Sequence, residues 1–296
     1  MAQIGHRIYN HDDMGRAKII TVANLKGGVG KTTTSYALAA AIHNRGRVGV
    51  VLDLDPGGGT YRSLAGNPQS GQATIGDVLY GKVSLADALV RSPMQTPGRG
   101  MIWTVPFDGN LASVGGPGQN ILRNAIEPVL GEENGIDYVI LDTHPSESDL
   151  RGPMEVADHI VIPCKLSNND LNVSAQTVLL ARSLARGLAP LSGLLVGDLK
   201  RPINNEIRIA LDGLRGMKLT LRVETESGRE DVVMYYGKSW LSALNGNGRN
   251  LENAEDLILA EKVLTAVETY HAPDTSWGMF MSLLKGMPNI GGRSNG

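Results

Sequence analysis

The stretch Lys26-Gly27-Gly28-Val29-Gly30-Lys31-Thr32-Thr33 constrains this chain most, because it sets a glycine-rich loop between a strand and a helix. Ahead of it, KIITVAN (18–24) is a short β-branched run; behind it, TTTSYALAAAIHNRG is alanine-rich with apolar residues at helical spacing. A strand, a tight loop and a helix start therefore follow in order. Glycines let backbone N–H groups curl around anionic oxygens, and a helix N-terminus adds partial positive charge, so the arrangement suits a bound phosphate. The backbone from Gly27 to Thr33 would wrap the nucleotide, Lys31 would reach its β- and γ-phosphates, and the Thr32 hydroxyl would ligate Mg²⁺.

Two acidic motifs follow. VVLDLDPGGG places Asp53 and Asp55 at the tip of a second strand candidate, which is where open α/β sheets bind ligands. Carboxylates two apart on a strand point the same way, so both can face the phosphates. YVILDTHPSES delivers Asp142 on an apolar strand beside the Mg²⁺ expected at Thr32. His144, just beyond it, either donates a hydrogen bond near the γ-phosphate or simply fills the loop, and the second is the expectation, since one histidine in a loop is weak evidence for catalysis.

Further strand candidates at 47–53, 101–106, 137–142, 159–163, 191–197 and 218–223 alternate with helical patterns at 117–131, 168–187 and 204–215. Alternation implies right-handed crossovers, hence an α/β fold: a mostly parallel twisted sheet with helices on both faces. Residues 57–59 and 92–100 read as loops. Residues 1–17 form a tail too short for a helix-turn-helix module, residues 18–272 one domain, and residues 273–296 an apolar segment with a polar tail. Within the domain, 251–270 reads as an amphipathic helix. Trp277, Phe280, Met281 and Leu284 share a helical face, expected to pack on the domain or a partner copy because few cations accompany it. The single cysteine, Cys164, excludes an internal disulfide and a multi-cysteine metal site within one chain. No signal-peptide core or membrane-length apolar run is apparent, so a cytoplasmic protein is expected.

The formal net charge is -2, so any nucleic-acid contact must come from a local patch. Lys200, Arg201, Arg208, Arg215, Lys218 and Arg222, set against only Glu206 and Asp212, supply one. No aromatic residue interleaves them, which argues against stacking on single strands.

The phosphate loop departs from the usual G-x-x-x-x-G-K-[ST]: its first glycine is replaced by Leu25, and Lys26 is added. With the D-x-D-P run at 53–56, the aspartate-threonine pair at 142–143 and ADHIVIP at 157–163, the chain resembles the ParA/MinD group of P-loop ATPases over roughly residues 18–200. The resemblance implies the P-loop NTPase fold, ATP and Mg²⁺ as cofactors, and Lys26, Lys31 and Asp55 as catalytic residues. Lys26 would cross a homodimer interface to the partner's nucleotide, and Asp55 would orient the attacking water. Asp53 would support the Mg²⁺ water shell, beside the metal-binding Thr32 and Asp142. It further implies slow, partner-stimulated ATP hydrolysis, non-specific duplex DNA binding in the ATP state and a ParB-like adaptor, in nucleoid-associated plasmid or chromosome partition. MinD-like membrane cycling and positioning of a non-DNA cargo share the same chemistry. Gly57 stands where the group usually has glutamine, and His144 where it has proline. The strand GLLVGDLKR resembles the one preceding the group's adenine loop, which makes Asp198 a candidate there.

Overall fold

The computed structural model describes residues 16–94, 100–111, 116–165, 168–184, 191–196, 218–225, 228–237, 260–261, 263–265 and 267–268. Its first half runs β1 (Lys18–Val22), α1 (Lys31–Asn44), β2 (Val48–Asp53), α2 (Gly59–Ala65), α3 (Ile75–Leu79), α4 (Leu85–Ala88), β3 (Val90–Arg91) and β4 (Met101–Thr104). The second half runs α5 (Gln119–Leu130), β5 (Tyr138–Asp142), α6 (Glu147–Val156), β6 (His159–Cys164), α7 (Asn168–Leu184), β7 (Leu191–Val196), β8 (Lys218–Thr225) and β9 (Gly228–Gly237).

The described strands form one sheet in the order β3-β4-β2-β5-β1-β6-β7-β9-β8. Every pairing from β4 through β9 is parallel. At the two edges β3 and β8 run antiparallel to their neighbours, so the sheet is mostly parallel, as expected. The strand expected at 218–223 is β8, whereas β3 and β9 answer to no expected strand, so the hairpin that β8 forms with β9 is revealed only by the pairing. Residues 57–59 are likewise not a loop throughout, since Gly59 opens α2.

Side chains alternate along the central strands, so each strand feeds two cores. Ile20, Val22, Tyr138 and Ile140 face α1, while Ile19, Val139 and Leu141 face the layer holding α3, α4 and α5. On that second face α6 and α7 pack Leu150, Met154, Val178 and Ala181 against Ile160 and Ile162. The described residues from 260 to 268 are helical, as expected, and bury Ala260, Val263, Leu264 and Val267 on the α1 face. Arg45, at the end of α1, ties them down: its guanidinium pairs with Glu268 at 2.8 Å and donates to the Glu261 carbonyl at 2.9 Å. The expected helix at 204–215 and the apolar segment at 277–285 lie outside the described residues. Among the described residues no helix is long and apolar enough to cross a membrane.

With the sheet on one side and residues 260–268 packed into the same core, α1 is buried on nearly all sides, from Tyr36 to His43 without interruption. Its alanines allow a close approach, and Gly49 on β2 completes it. A Cβ there would lie 3.1 Å from Ile102 Cδ1 and 3.2 Å from Ile42 Cγ2. Gly49→Val should therefore lower stability by about 1–3 kcal/mol through overpacking, despite valine's preference for strands. Urea denaturation followed by circular dichroism measures it, and an unchanged midpoint would show that α1 has room to move.

Candidate functional site

The loop between β1 and α1 is shaped by two left-handed glycines, Gly28 (φ 70°) and Gly30 (φ 99°), a conformation that strains any residue with a Cβ. Val29, 1% exposed, anchors the loop between them. Gly30 caps α1 without a side-chain hydrogen bond, and no acidic residue stands in the first turn. That leaves the positive end of the helix for an anion. Lys31 folds back over its own loop, donating to the Asn24 carbonyl at 3.3 Å and the Lys26 carbonyl at 3.2 Å. Burial lowers its pKa, against the attraction of Asp142 and Asp55.

Parallel pairing of β2 with β5 sets Asp53 in register with Asp142. Both carboxylates are buried, at 0% and 1% exposure, at the carboxyl ends of adjacent strands. Asp142 Oδ2 accepts from the Thr32 hydroxyl at 3.2 Å and from the Thr60 hydroxyl. Its Oδ1 is buried and has no hydrogen-bond partner among the described residues. Asp53 accepts the Tyr61 N–H at 2.9 Å and the Asp55 N–H at 3.1 Å. Burial, then the Asp142 charge, pushes Asp53 up to about 7. Burial also raises Asp142, to about 6, although Thr60 and Lys31 favour its charged form. An orphaned carboxylate oxygen beside a threonine hydroxyl and a second buried carboxylate is a donor set that fits a hard divalent cation.

Asp55 lies beyond the end of β2 rather than on it, in a bend where its Oδ1 accepts the Gly57 N–H at 2.8 Å. Asp53 ends the strand and Asp55 opens the bend after it, so strand alternation alone does not set how the two carboxylates lie; Asp55 still stands close enough to act on the charges of Lys31, Asp53 and Asp142. Thr33 is buried at 5% exposure and Gly27 lies beside Pro145. Lys26 forms an ion pair with Asp170 of α7. His144 is not a bare loop filler: its Nδ1 lies 2.8 Å from Asp149 Oδ2.

Sequence reasoning missed Thr60, hidden behind a glycine run, and Asn24, whose amide donates to the Pro163 carbonyl at 2.8 Å and Ser174 Oγ at 2.9 Å. It missed Asp170 as well; nothing local marks that residue as the counter-ion of a lysine so far away in sequence. Of the candidate DNA-contacting residues, Lys200, Arg201, Arg208 and Arg215 lie outside the described residues. Lys218 and Arg222 fall on the edge strand β8. Asp198 also lies outside.

A family profile described as an AAA domain matches residues 17–181, more than half of the chain. The chain belongs to this family, as a P-loop ATPase of the ParA group. The chromosome partitioning protein ParA of Caulobacter vibrioides is 34% identical over 154 residues, which are 49% of this chain and 55% of that protein. The maintenance of carboxysome distribution protein A of Synechococcus elongatus is 29% identical over 166 residues, 54% of this chain and 62% of that protein. The match thus spans little more than half the length of these two relatives. In fold, the chain is similar to a variant of Cyanothece McdA solved with ATP, with a TM-score of 0.62 at 20% identity over 86% of this chain and 96% of that one. The matched region contains the two lysines, the three aspartates and Asp170, and ends before the basic stretch at 199–222.

The raised carboxylates make stability depend on pH with a definite sign. An unfolded aspartate loses its proton near 3.8, whereas folded Asp53 and Asp142 keep theirs to higher pH. Between those values this pair binds more protons folded than unfolded, so its contribution to stability falls as pH rises and outweighs the opposite contribution of buried His159, which is pushed down to about 4. The nucleotide-free chain should melt at a lower temperature at pH 8 than at pH 5.5, and Asp53→Asn should flatten that slope. Scanning calorimetry across this range measures it, and a melting temperature rising toward pH 8 would contradict the burial of this pair.

Proposed function

We propose that this protein is an ATP-dependent dimerising switch that binds duplex DNA non-specifically in its ATP state and acts in plasmid or chromosome partition. The observation that carries the reading is the convergence of Lys31, Thr32, Asp53 and Asp142 on one end of the sheet, with a second lysine, Lys26, on the same loop. In this reading the Lys31 ammonium leaves its carbonyl partners for the β- and γ-phosphates. Thr32 and Asp142 hold Mg²⁺, and Asp53 supports the water around it. Mg²⁺, when bound there, would supply neutralisation of the phosphate charge. Asp55, half-buried in the bend after β2, orients the attacking water. Lys26 reaches the nucleotide of a second copy, so that ATP binding and association become one event.

Hydrolysis then resets the dimer, slowly unless stimulated by DNA and a ParB-like adaptor. These partners, and a cytoplasmic, nucleoid-associated location, follow from the resemblance to ParA. The similarity to the carboxysome distribution protein supports a second reading, in which the same switch positions a non-DNA cargo.

Lys31→Ala should reduce nucleotide affinity at least a hundredfold by removing the charge that meets the phosphates. Lys26→Ala should bind nucleotide yet stay monomeric, whereas Asp55→Ala should dimerise and hydrolyse more slowly by two or more orders of magnitude. Isothermal calorimetry, light scattering with ATP and phosphate release separate the three. A Lys26→Ala protein that dimerised like wild type would remove the switch mechanism.

DNA binding is tested by fluorescence anisotropy on duplexes of unrelated sequence. Affinity should appear only with ATP and fall steeply with salt, and neutralising Arg201 with Arg208, or Lys218 with Arg222, should shallow that slope. An ATP dimer indifferent to DNA at low salt would shift the assignment to another surface or cargo.

A further inference from the structure

Helix α7 presents Asp170, Ser174 and Thr177 at i, i+4 and i+7, and all three are buried against the segment Asn24–Lys26. Ser174 Oγ accepts from the Asn24 amide at 2.9 Å, and Thr177 Oγ1 accepts from the Leu25 N–H at 3.1 Å. Asn24 Oδ1 in turn accepts the Lys26 N–H at 2.9 Å. The backbone that launches the phosphate loop is therefore stitched to α7, and the Lys26 ammonium is held by the first turn of the same helix through Asp170. The Asp170 side chain is 10% exposed and that of Lys26 30%, so solvent screening of the pair is weak.

One ammonium cannot serve two anions in different places. We propose that Asp170 is a latch: it holds Lys26 within its own chain, and ATP-driven association must exchange Asp170 for the partner's phosphates. The inference rests on the dimeric role of Lys26 proposed above. Once released, the Asp170 carboxylate still lies in the first turn of α7, where the helix dipole favours a negative charge. The open state is therefore accessible, and the ion pair sets a threshold without forbidding it. A symmetric dimer contains two such lysines, so the penalty of opening one latch enters the association constant twice.

Asp170→Asn keeps the shape and removes the charge. In sedimentation velocity of the full chain with Mg²⁺ and a slowly hydrolysed ATP analogue, it should tighten the dimer about tenfold, from about threefold per latch. In the nucleotide-free monomer, acetylation of Lys26 by an amine reagent, read by mass spectrometry against Lys82, should accelerate, a change that a purely structural role of Asp170 would not produce. Asp170→Ser carries the same two expectations should the asparagine variant not fold. Wild-type dimerisation with no tightening in the folded variant, or with unchanged Lys26 labelling, overturns the latch and leaves the dimeric role of Lys26 standing. A wild-type chain that stays monomeric with the analogue overturns both.

Discussion

Two carboxylates are held side by side at the buried ends of neighbouring strands, and much of the surrounding structure answers that confrontation. Asp53 and Asp142 lie in register because β2 and β5 pair in parallel, and neither reaches solvent to any extent. Burial raises the pKa of both; the charge of Asp142 raises Asp53 further, and that of Asp55 acts on Asp142 in the same sense. The surroundings respond with donors and one cation: the hydroxyls of Thr32 and Thr60, the N–H groups of Tyr61 and Asp55, and nearby Lys31. One oxygen of Asp142 remains unanswered among the described residues. The site is thus balanced except for a share of negative charge that a cation would complete.

The helices take their positions from the same place. Thr32 is in the first turn of α1 and Thr60 in the first turn of α2, so the one carboxylate of Asp142 gathers two helix starts. A buried, alanine-rich α1 gives this corner rigidity, since its starting residues cannot drift while the rest of the helix is packed on nearly all sides. Gly59 belongs to the same fit: a Cβ there would meet Thr32 at 3.3 Å.

The two lysines of the loop have different environments although only four residues separate them. Lys31 is turned inward, bonded to its own loop and partly desolvated. Lys26 lies on the rim against α7. Inward burial suits the role proposed for Lys31, at phosphate in its own pocket, and a rim position suits the role proposed for Lys26, at a second copy's nucleotide. The two roles thus differ by location in a fold, not by chemistry of the side chain.

The order of strand, loop and helix, the three nucleotide motifs and the largely parallel sheet were legible in the sequence because each is written in consecutive residues: glycines where φ is positive, apolar runs where strands are buried, aspartates at strand ends. The antiparallel edges were not, since the β8–β9 hairpin announces itself only by pairing. Nor was the displacement of Asp55 from the strand, which depends on where β2 stops, or Thr60, whose bond to Asp142 spans 82 positions. Asp170 is the clearest case. The chain itself determined that a second lysine stands on the phosphate loop, because backbone conformation there needs only local residues. Which carboxylate that lysine meets was decided by the packing of α7 against β6 and Asn24, since an ion pair requires two distant segments to arrive at the same point.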